Sequence, residues 1–208
     1  MKKFTITITL ILFTMTLFSQ GNIKLPQSNK TGGMPLMDVL AKRLTSRSFQ
    51  SKELTNQQLS DLLWAAFGIN RPDGKRTAPS AMNFQETDLY VLLKTGVYTY
   101  NAKENQLVQI SQEDIRSMAG MQDFIKDAPV QIVLVTDLSK MGEGSAEEKL
   151  NTANIDAGYI SQNIYLFCTS AGLATGARGS VDKKALSPKL KLKPDQKIII
   201  AHSVGYLK

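Results

Sequence analysis

Histidine and cysteine are almost missing from this 208-residue chain: His202 and Cys168 are the single copies of each. A zinc centre takes about three or four His, Cys or carboxylate ligands, and the sequence holds no such cluster. One cysteine cannot close an intrachain disulfide. Nucleophilic catalysis of the Ser–His or Cys–His kind would have to use His202, which sits in the apolar run Ile198-Ile-Ile-Ala-His202 and reads as a core residue. Cys168, in Ile164-Tyr-Leu-Phe-Cys168-Thr, reads as a buried helical position. Long hydrophobic runs are scarce too. The run from Phe4 to Phe18 falls short of the roughly 20 residues that span a membrane. Behind Lys2-Lys3 and ahead of Ser19-Gln-Gly21 it reads as a secretory signal over residues 1–20. The expectation is an exported, periplasmic protein with no membrane anchor, since no cysteine near the cleavage region offers a lipid attachment point. The Thr/Ile alternation leaves a buried N-terminal strand as the competing reading.

A strong charge excess is also lacking. The 25 Lys and Arg stand against 18 Asp and Glu, a net charge of +7, and loss of Lys2 and Lys3 with the signal leaves +5. Apart from Lys183-Lys184 and Lys189-Leu-Lys191-Leu-Lys193, the basic residues are scattered, with no aromatic-interleaved stripe of the kind that binds nucleic acid. A solvated basic face suits small anions. The composition, 42% hydrophobic and 21% charged, is that of one globular domain. Without a protein-only catalytic set, any chemistry is expected to be carried by a cofactor.

Residues 21–33 are polar and rich in Gly, Pro and Asn, and read as a flexible, exposed leader, so the domain is expected over residues 34–208. A helix is predicted from Met34-Pro35, with Leu36, Val39, Leu40 and Leu44 on one face. Thr55, followed three residues later by Gln58, opens a second helix that Gly68 stops. A breaker-rich loop fills 69–82, and Gln112 to Lys126 reads as helical. Strands are predicted at 88–93, 97–100, 107–110, 129–136 and 197–204, with the longest helix over Ser145 to Ala171. Helices on a short mixed, mainly antiparallel sheet make an α+β domain.

Gly68-Ile-Asn-Arg-Pro-Asp-Gly74-Lys75 imitates a phosphate loop but has one residue too many between its glycines, and Arg76 stands where a magnesium-binding hydroxyl belongs. Three other segments carry more. In Arg43-Leu-Thr45-Ser-Arg47-Ser-Phe49, two arginines four apart on one helical face, with a hydroxyl between, suit a phosphate. In Pro79-Ser80-Ala81-Met-Asn83-Phe-Gln85, hydroxyl and amide groups can read the polar edge of a planar ring. Gly172-Leu-Ala-Thr-Gly176-Ala177-Arg178-Gly179-Ser180 reads as a loop whose N–H groups can point into a cavity.

Taken in order, with the closing Val204-Gly-Tyr206, these segments resemble the nitroreductase-like FMN oxidoreductases over about residues 36–208. The run Leu62 to Ser80 and the segment Gly96-Val-Tyr-Thr-Tyr100 are similar to one branch, the azoline-oxidising (SagB/ThcOx-type) dehydrogenases. The resemblance implies the nitroreductase-like fold, FMN as cofactor with NAD(P)H as a candidate donor, a small-molecule substrate, and an intertwined homodimer with the long helix at its core. It implies that Arg43, Thr45 and Arg47 hold the FMN phosphate and ribityl chain. Ser80, Ala81, Asn83 and Gln85 would line the isoalloxazine, while Ala177, Arg178, Gly179 and Ser180 present backbone N–H groups to its N5 edge. No side-chain acid or base is expected to be obligatory. Many relatives follow the glutamine with Pro-Trp, whereas this chain has Glu86-Thr87. The alternative is a flavin-binding or interaction module of the same fold without turnover.

Overall fold

The computed structural model describes residues 21–208. The expected signal segment, residues 1–20, lies outside the described residues.

Continuous apolar runs without period-two alternation belong to strands covered on both faces, and β5 (Val130–Asp137) is buried at all eight of its positions. It pairs with β2 (Thr87–Leu93) on one side and β7 (Gln196–Gly205) on the other. From β2 the sheet continues through β3 (Gly96–Asn101) and β4 (Gln106–Ser111) to β1 (Ile23–Lys24). From β7 it ends on β6 (Ala174–Arg178). All seven strands pair antiparallel, so the expected mixed sheet is antiparallel throughout.

The alternating side chains of β2 and β5 feed two cores. Leu89, Val91, Ile132 and Leu134 join α2 (Asn56–Phe67) and α3 (Ala146–Ser170) on one face. Tyr90, Leu92, Val133 and Val135 meet Leu186 of α4 (Lys183–Lys189), together with Leu190, on the other. Both long helices open on complete capping boxes, Thr55/Gln58 and Ser145/Glu148, in which side chain and backbone exchange hydrogen bonds. Cys168 and His202 are both wholly buried, as expected.

Four expectations need correction. Residues 21–33 are not a free leader: β1 pairs with β4, Leu25 is buried in the first core, and the buried Ser28 hydroxyl bonds the Ser60 carbonyl at 3.1 Å. Residues 112–126 are not one helix but two 3-10 turns, Arg116–Met118 and Asp123–Lys126. Between them Gly120 is pressed so closely that a Cβ there would come within 2.3 Å of both Arg178 and Ile125. Residues 174–178, read as loop, form β6; Thr175 is their single β-branched residue, too weak a strand signature, and pairing with β7 supplies the order. Finally, α1 (Leu36–Lys42) ends before Arg43, whose ψ of 124° leaves the helix. Arg43 and Arg47 therefore do not share a helical face.

Candidate functional site

Past α1 the chain runs as an extended strap beside the free edge of β6. The Ser46 N–H donates to the Thr175 carbonyl at 2.8 Å. The strap lies so close that a Cβ on Gly176 would stand 2.6 Å from the Ser46 carbonyl oxygen. Tyr165, projecting from α3, organises this corner. Its hydroxyl takes the Ala177 N–H at 2.9 Å and lies 3.1 Å from the Thr45 hydroxyl, while the Arg43 guanidinium sits 5.2 Å from its ring centre. Thr45 and Arg47 are exposed and Arg43 is half-buried. Among the described residues neither arginine pairs with a carboxylate, so both retain unspent donors for an anion.

The second segment is a tight loop with three non-glycine residues at positive φ, Met82 (48°), Asn83 (57°) and Gln85 (49°). Such backbone persists only where surrounding contacts over-determine it, and here they are dense. The Gln85 N–H donates to the Ser80 hydroxyl at 3.0 Å, and its side-chain amide N–H groups donate to the Asn83 side-chain Oδ1 and the Gly74 backbone carbonyl. Arg76, stacked 4.8 Å from the Phe67 ring, donates from Nε to the Gln85 Oε1 at 2.8 Å. Asp156 of α3 accepts the Ala81 N–H at 2.8 Å. The mimic of a phosphate loop is a β-bridged turn, with Ile69 opposite Arg76, held by an exposed Asp73–Lys75 ion pair at 3.0 Å.

The third segment divides. The Ala177 N–H is engaged by Tyr165, and Gly179 and Ser180 are exposed beyond the end of β6. The Arg178 side chain turns into the core, where its guanidinium donates to the Ala119 carbonyl at 2.9 Å, to the Ser203 hydroxyl at 2.8 Å and to Gln131. Among the described residues it has no carboxylate partner, and burial lowers its pKa to about 10. Next to it, His202 bonds Ser161 at 2.8 Å and Thr175 at 3.2 Å. Burial and the Arg178 charge hold it neutral, with a pKa near 3.

Tyr165, Asp156, Arg76 and Glu86 were not marked by the sequence motifs. Tyr165 and Asp156 carried no spacing signal, but Glu86 did: it replaces the usual proline. Its carboxylate is buried with neither oxygen hydrogen-bonded. Burial, then the neighbouring Asp156, raise its pKa from the ordinary 4.5 to about 7. The folded chain thus binds this proton more tightly than the unfolded chain, so its contribution is complete below the ordinary range and is lost as pH rises through about 7. The loss amounts to about 3 kcal/mol. His202 works oppositely, its contribution falling as pH drops from 6.5 towards 3. Because the two contributions oppose each other between about pH 4.5 and 6.5, urea denaturation of the wild-type chain should show nearly flat stability from about pH 5 to 7. A Glu86→Gln chain, left with the His202 contribution alone, should instead gain about 1–2 kcal/mol between about pH 5 and 6.5; the same flat profile in both chains would remove Glu86 as the opposing source.

Asp156 and Tyr165 are nine residues apart on α3, which is about 2.5 turns and 13–14 Å along the axis. The loop 80–85 and the strap 43–47 therefore dock on opposite faces of one helix. Among the described residues no group of three or more His, Cys, Asp or Glu could hold a metal, and no helix is long and apolar enough to cross a membrane.

Residues 40–206 match the family model described as the nitroreductase family. A Methanocaldococcus jannaschii protein provisionally named a nitroreductase is 30% identical over 168 residues, covering 76% of this chain and 85% of that one. The crystal structure of a provisionally named nitroreductase from Ralstonia eutropha superposes with a TM-score of 0.85 at 37% identity, covering 90% of each chain. One from Staphylococcus epidermidis, provisionally named an NAD(P)H:FMN oxidoreductase, shares the fold with a TM-score of 0.63 at 14% identity, covering 86% of this chain and 91% of that one. With an antiparallel sheet, a long central helix and motif segments ordered along it, the chain belongs to the nitroreductase family.

Proposed function

We propose that the protein is an exported FMN-dependent oxidoreductase that acts on a small molecule as a homodimer. The observation that carries the dimeric site is the placement of strap 43–47 and loop 80–85 on opposite faces of α3. One protomer cannot bring both to one ligand, whereas the strap of one copy and the loop of a second can flank it. The surface around them suits that assembly, since Leu36 and Met37 of α1 are 61% and 74% exposed and Ile155 and Tyr159 of α3 are also open. Sedimentation should give a dimer.

The residues present fit a planar ligand with an anionic tail. Arg43 and Arg47 offer unpaired guanidinium donors to a phosphate, and Thr45 adds a hydroxyl. The loop residues Ser80, Ala81, Asn83 and Gln85 offer a rigid polar edge held by Asp156 and Arg76. FMN, when bound, supplies hydride or electron transfer; the chain orients it and shields it from water. Gly179 and Ser180, exposed past β6, are the N–H donors of the third segment that remain open to a ligand, because Ala177 is held by Tyr165 and the Arg178 side chain points inward. The likeness to azoline-oxidising dehydrogenases belongs to the same proposal. For an exported enzyme the donor need not be NAD(P)H, and a donor screen under anaerobic conditions distinguishes the cases.

The test is a flavin titration followed by fluorescence quenching. Wild-type protein should retain about one FMN per chain after desalting. Arg43→Ala and Arg47→Ala should each weaken binding by roughly 10- to 100-fold, the loss of a charge-assisted phosphate contact of about 1.5–3 kcal/mol. Unchanged affinity in both variants would overturn the assignment.

A further inference from the structure

Glu86 is a carboxylate in the core, 0% exposed, and neither of its oxygens accepts a hydrogen bond from a described donor. Its own backbone carbonyl is tied to the Asp137 N–H at 2.9 Å, so the residue cannot withdraw without disturbing the junction of β2 and β5. The charged groups around it are few. From α3 comes Asp156, itself buried, which holds the Ala81 N–H and stands within hydrogen-bonding reach of the Glu86 carboxyl. From the turn Leu138–Lys140 comes Lys140, but its ammonium is committed to Asp88 at 2.9 and 3.0 Å. From the end of β5 comes Asp137, whose carboxylate is engaged by the Ser139 N–H and hydroxyl. Among the described residues around Glu86 no cation is free to neutralise a second carboxylate beside Asp156, and two buried like charges cannot both persist.

We propose that Glu86 is a positioning residue for the cofactor-lining loop: its protonated carboxyl donates to Asp156, and this shared proton keeps Asp156 clamped on the Ala81 N–H. The inference rests on the reading of loop 80–85 as a cofactor wall, but the clamp itself is a property of the free chain. With the proton in place, Asp156 has a donor on each side and the strained loop is held at its N-terminal end. Loss of the proton sets two carboxylates against each other. With Glu86 held at the β2–β5 junction, the repulsion is relieved by Asp156 leaving Ala81, and that movement releases a backbone with three positive-φ residues. The pKa near 7 places that release within the physiological range. The flavin wall would therefore be firm in mildly acidic surroundings and loosen in mildly alkaline ones.

Two readouts on the full-length protein test this. Hydrogen exchange at the Ala81 amide, corrected for intrinsic base catalysis, should lose at least tenfold protection in wild type between pH 6 and 8.5, and Glu86→Gln should abolish that loss. FMN affinity should weaken over the same range by about tenfold more in wild type than in the variant; ionisation of the ligand phosphate is common to both chains and cancels. If no flavin binds at all, the amide exchange still decides the clamp, so failure of the cofactor reading is separate from failure of this one. A third readout needs no variant: the Glu86 side-chain 13C carboxyl shift should titrate near neutrality, together with the Ala81 amide. Equal Ala81 protection profiles in wild type and variant, or a Glu86 carboxyl already ionised at pH 5, would overturn the proposal.

Discussion

Arg178→Met should cost about 2–4 kcal/mol of folding stability, lowering the thermal midpoint by roughly 5–10 °C in a domain of this size. Methionine retains most of the apolar stem, so packing loss is small and the charge and its hydrogen bonds are what is removed. In the native chain the guanidinium is surrounded by neutral acceptors, the Ala119 carbonyl, Ser203 and Gln131. The Gln131 amide in turn donates to the Ile125 carbonyl at 3.0 Å. Deleting the donor at the centre leaves the Ala119 carbonyl without its guanidinium donor, at about 1–3 kcal/mol, while the Ser203 hydroxyl and the Gln131 Oε1 keep only their mutual bond at 2.8 Å. The network joins β5, β6 and β7 to the turns that replace the expected helix at 112–126, so the damage should spread to that segment. Arg178→Lys should rescue only part of it, because an ammonium cannot reproduce the planar fork. A thermal midpoint within 2 °C of wild type for Arg178→Met would show that the network is dispensable.

Gly176→Val should weaken FMN binding by at least 30-fold while costing about 1–3 kcal/mol of stability, the usual effect of overpacking. The added carbon would meet a backbone carbonyl, that of Ser46 at 2.6 Å, which cannot rotate away as a side chain can. The Thr45 methyl is 3.4 Å away and would be pushed in the same direction. Displacing the strap breaks the Ser46–Thr175 hydrogen bond and pulls Thr45 from Tyr165, so the arginines on either side lose their anchoring. The expected signature is a disproportionate loss of ligand affinity, read by flavin fluorescence alongside urea denaturation. Equal losses in both would mean that the glycine serves the fold alone.

Much of this architecture was legible because the strong signals are local. Thr55/Gln58 and Ser145/Glu148 are capping boxes in sequence and in structure. The runs that form β2, β5 and β7 are apolar because both sheet faces are covered. What was illegible depends on distant partners. β6 is built from Ala, Thr and Gly ahead of Arg178 and becomes a strand only because β7 pairs with it. The arginines of the strap have helical spacing, yet α1 stops at Lys42, so spacing misled. Site residues were legible only as motif segments. Tyr165 and Asp156 looked like ordinary members of a long helix, and nothing in their local sequence reveals that each docks a different segment on an opposite face. The direction of Arg178 could not be read at all, since an arginine beside two glycines resembles a ligand-facing loop.

The strap beside β6 also acts as a guard. A terminal strand with open N–H and C=O groups invites pairing with another chain. Here the Thr175 carbonyl and the Ala177 N–H, both on the outer side of β6, are occupied by Ser46 and Tyr165. The strap proposed to hold an anion therefore also keeps the sheet from extending into an intermolecular one. Loosening them by substitution, or by withdrawing whatever ligand steadies them, would uncover a sticky edge as well as an empty site, so colloidal solubility and cofactor retention should fail together.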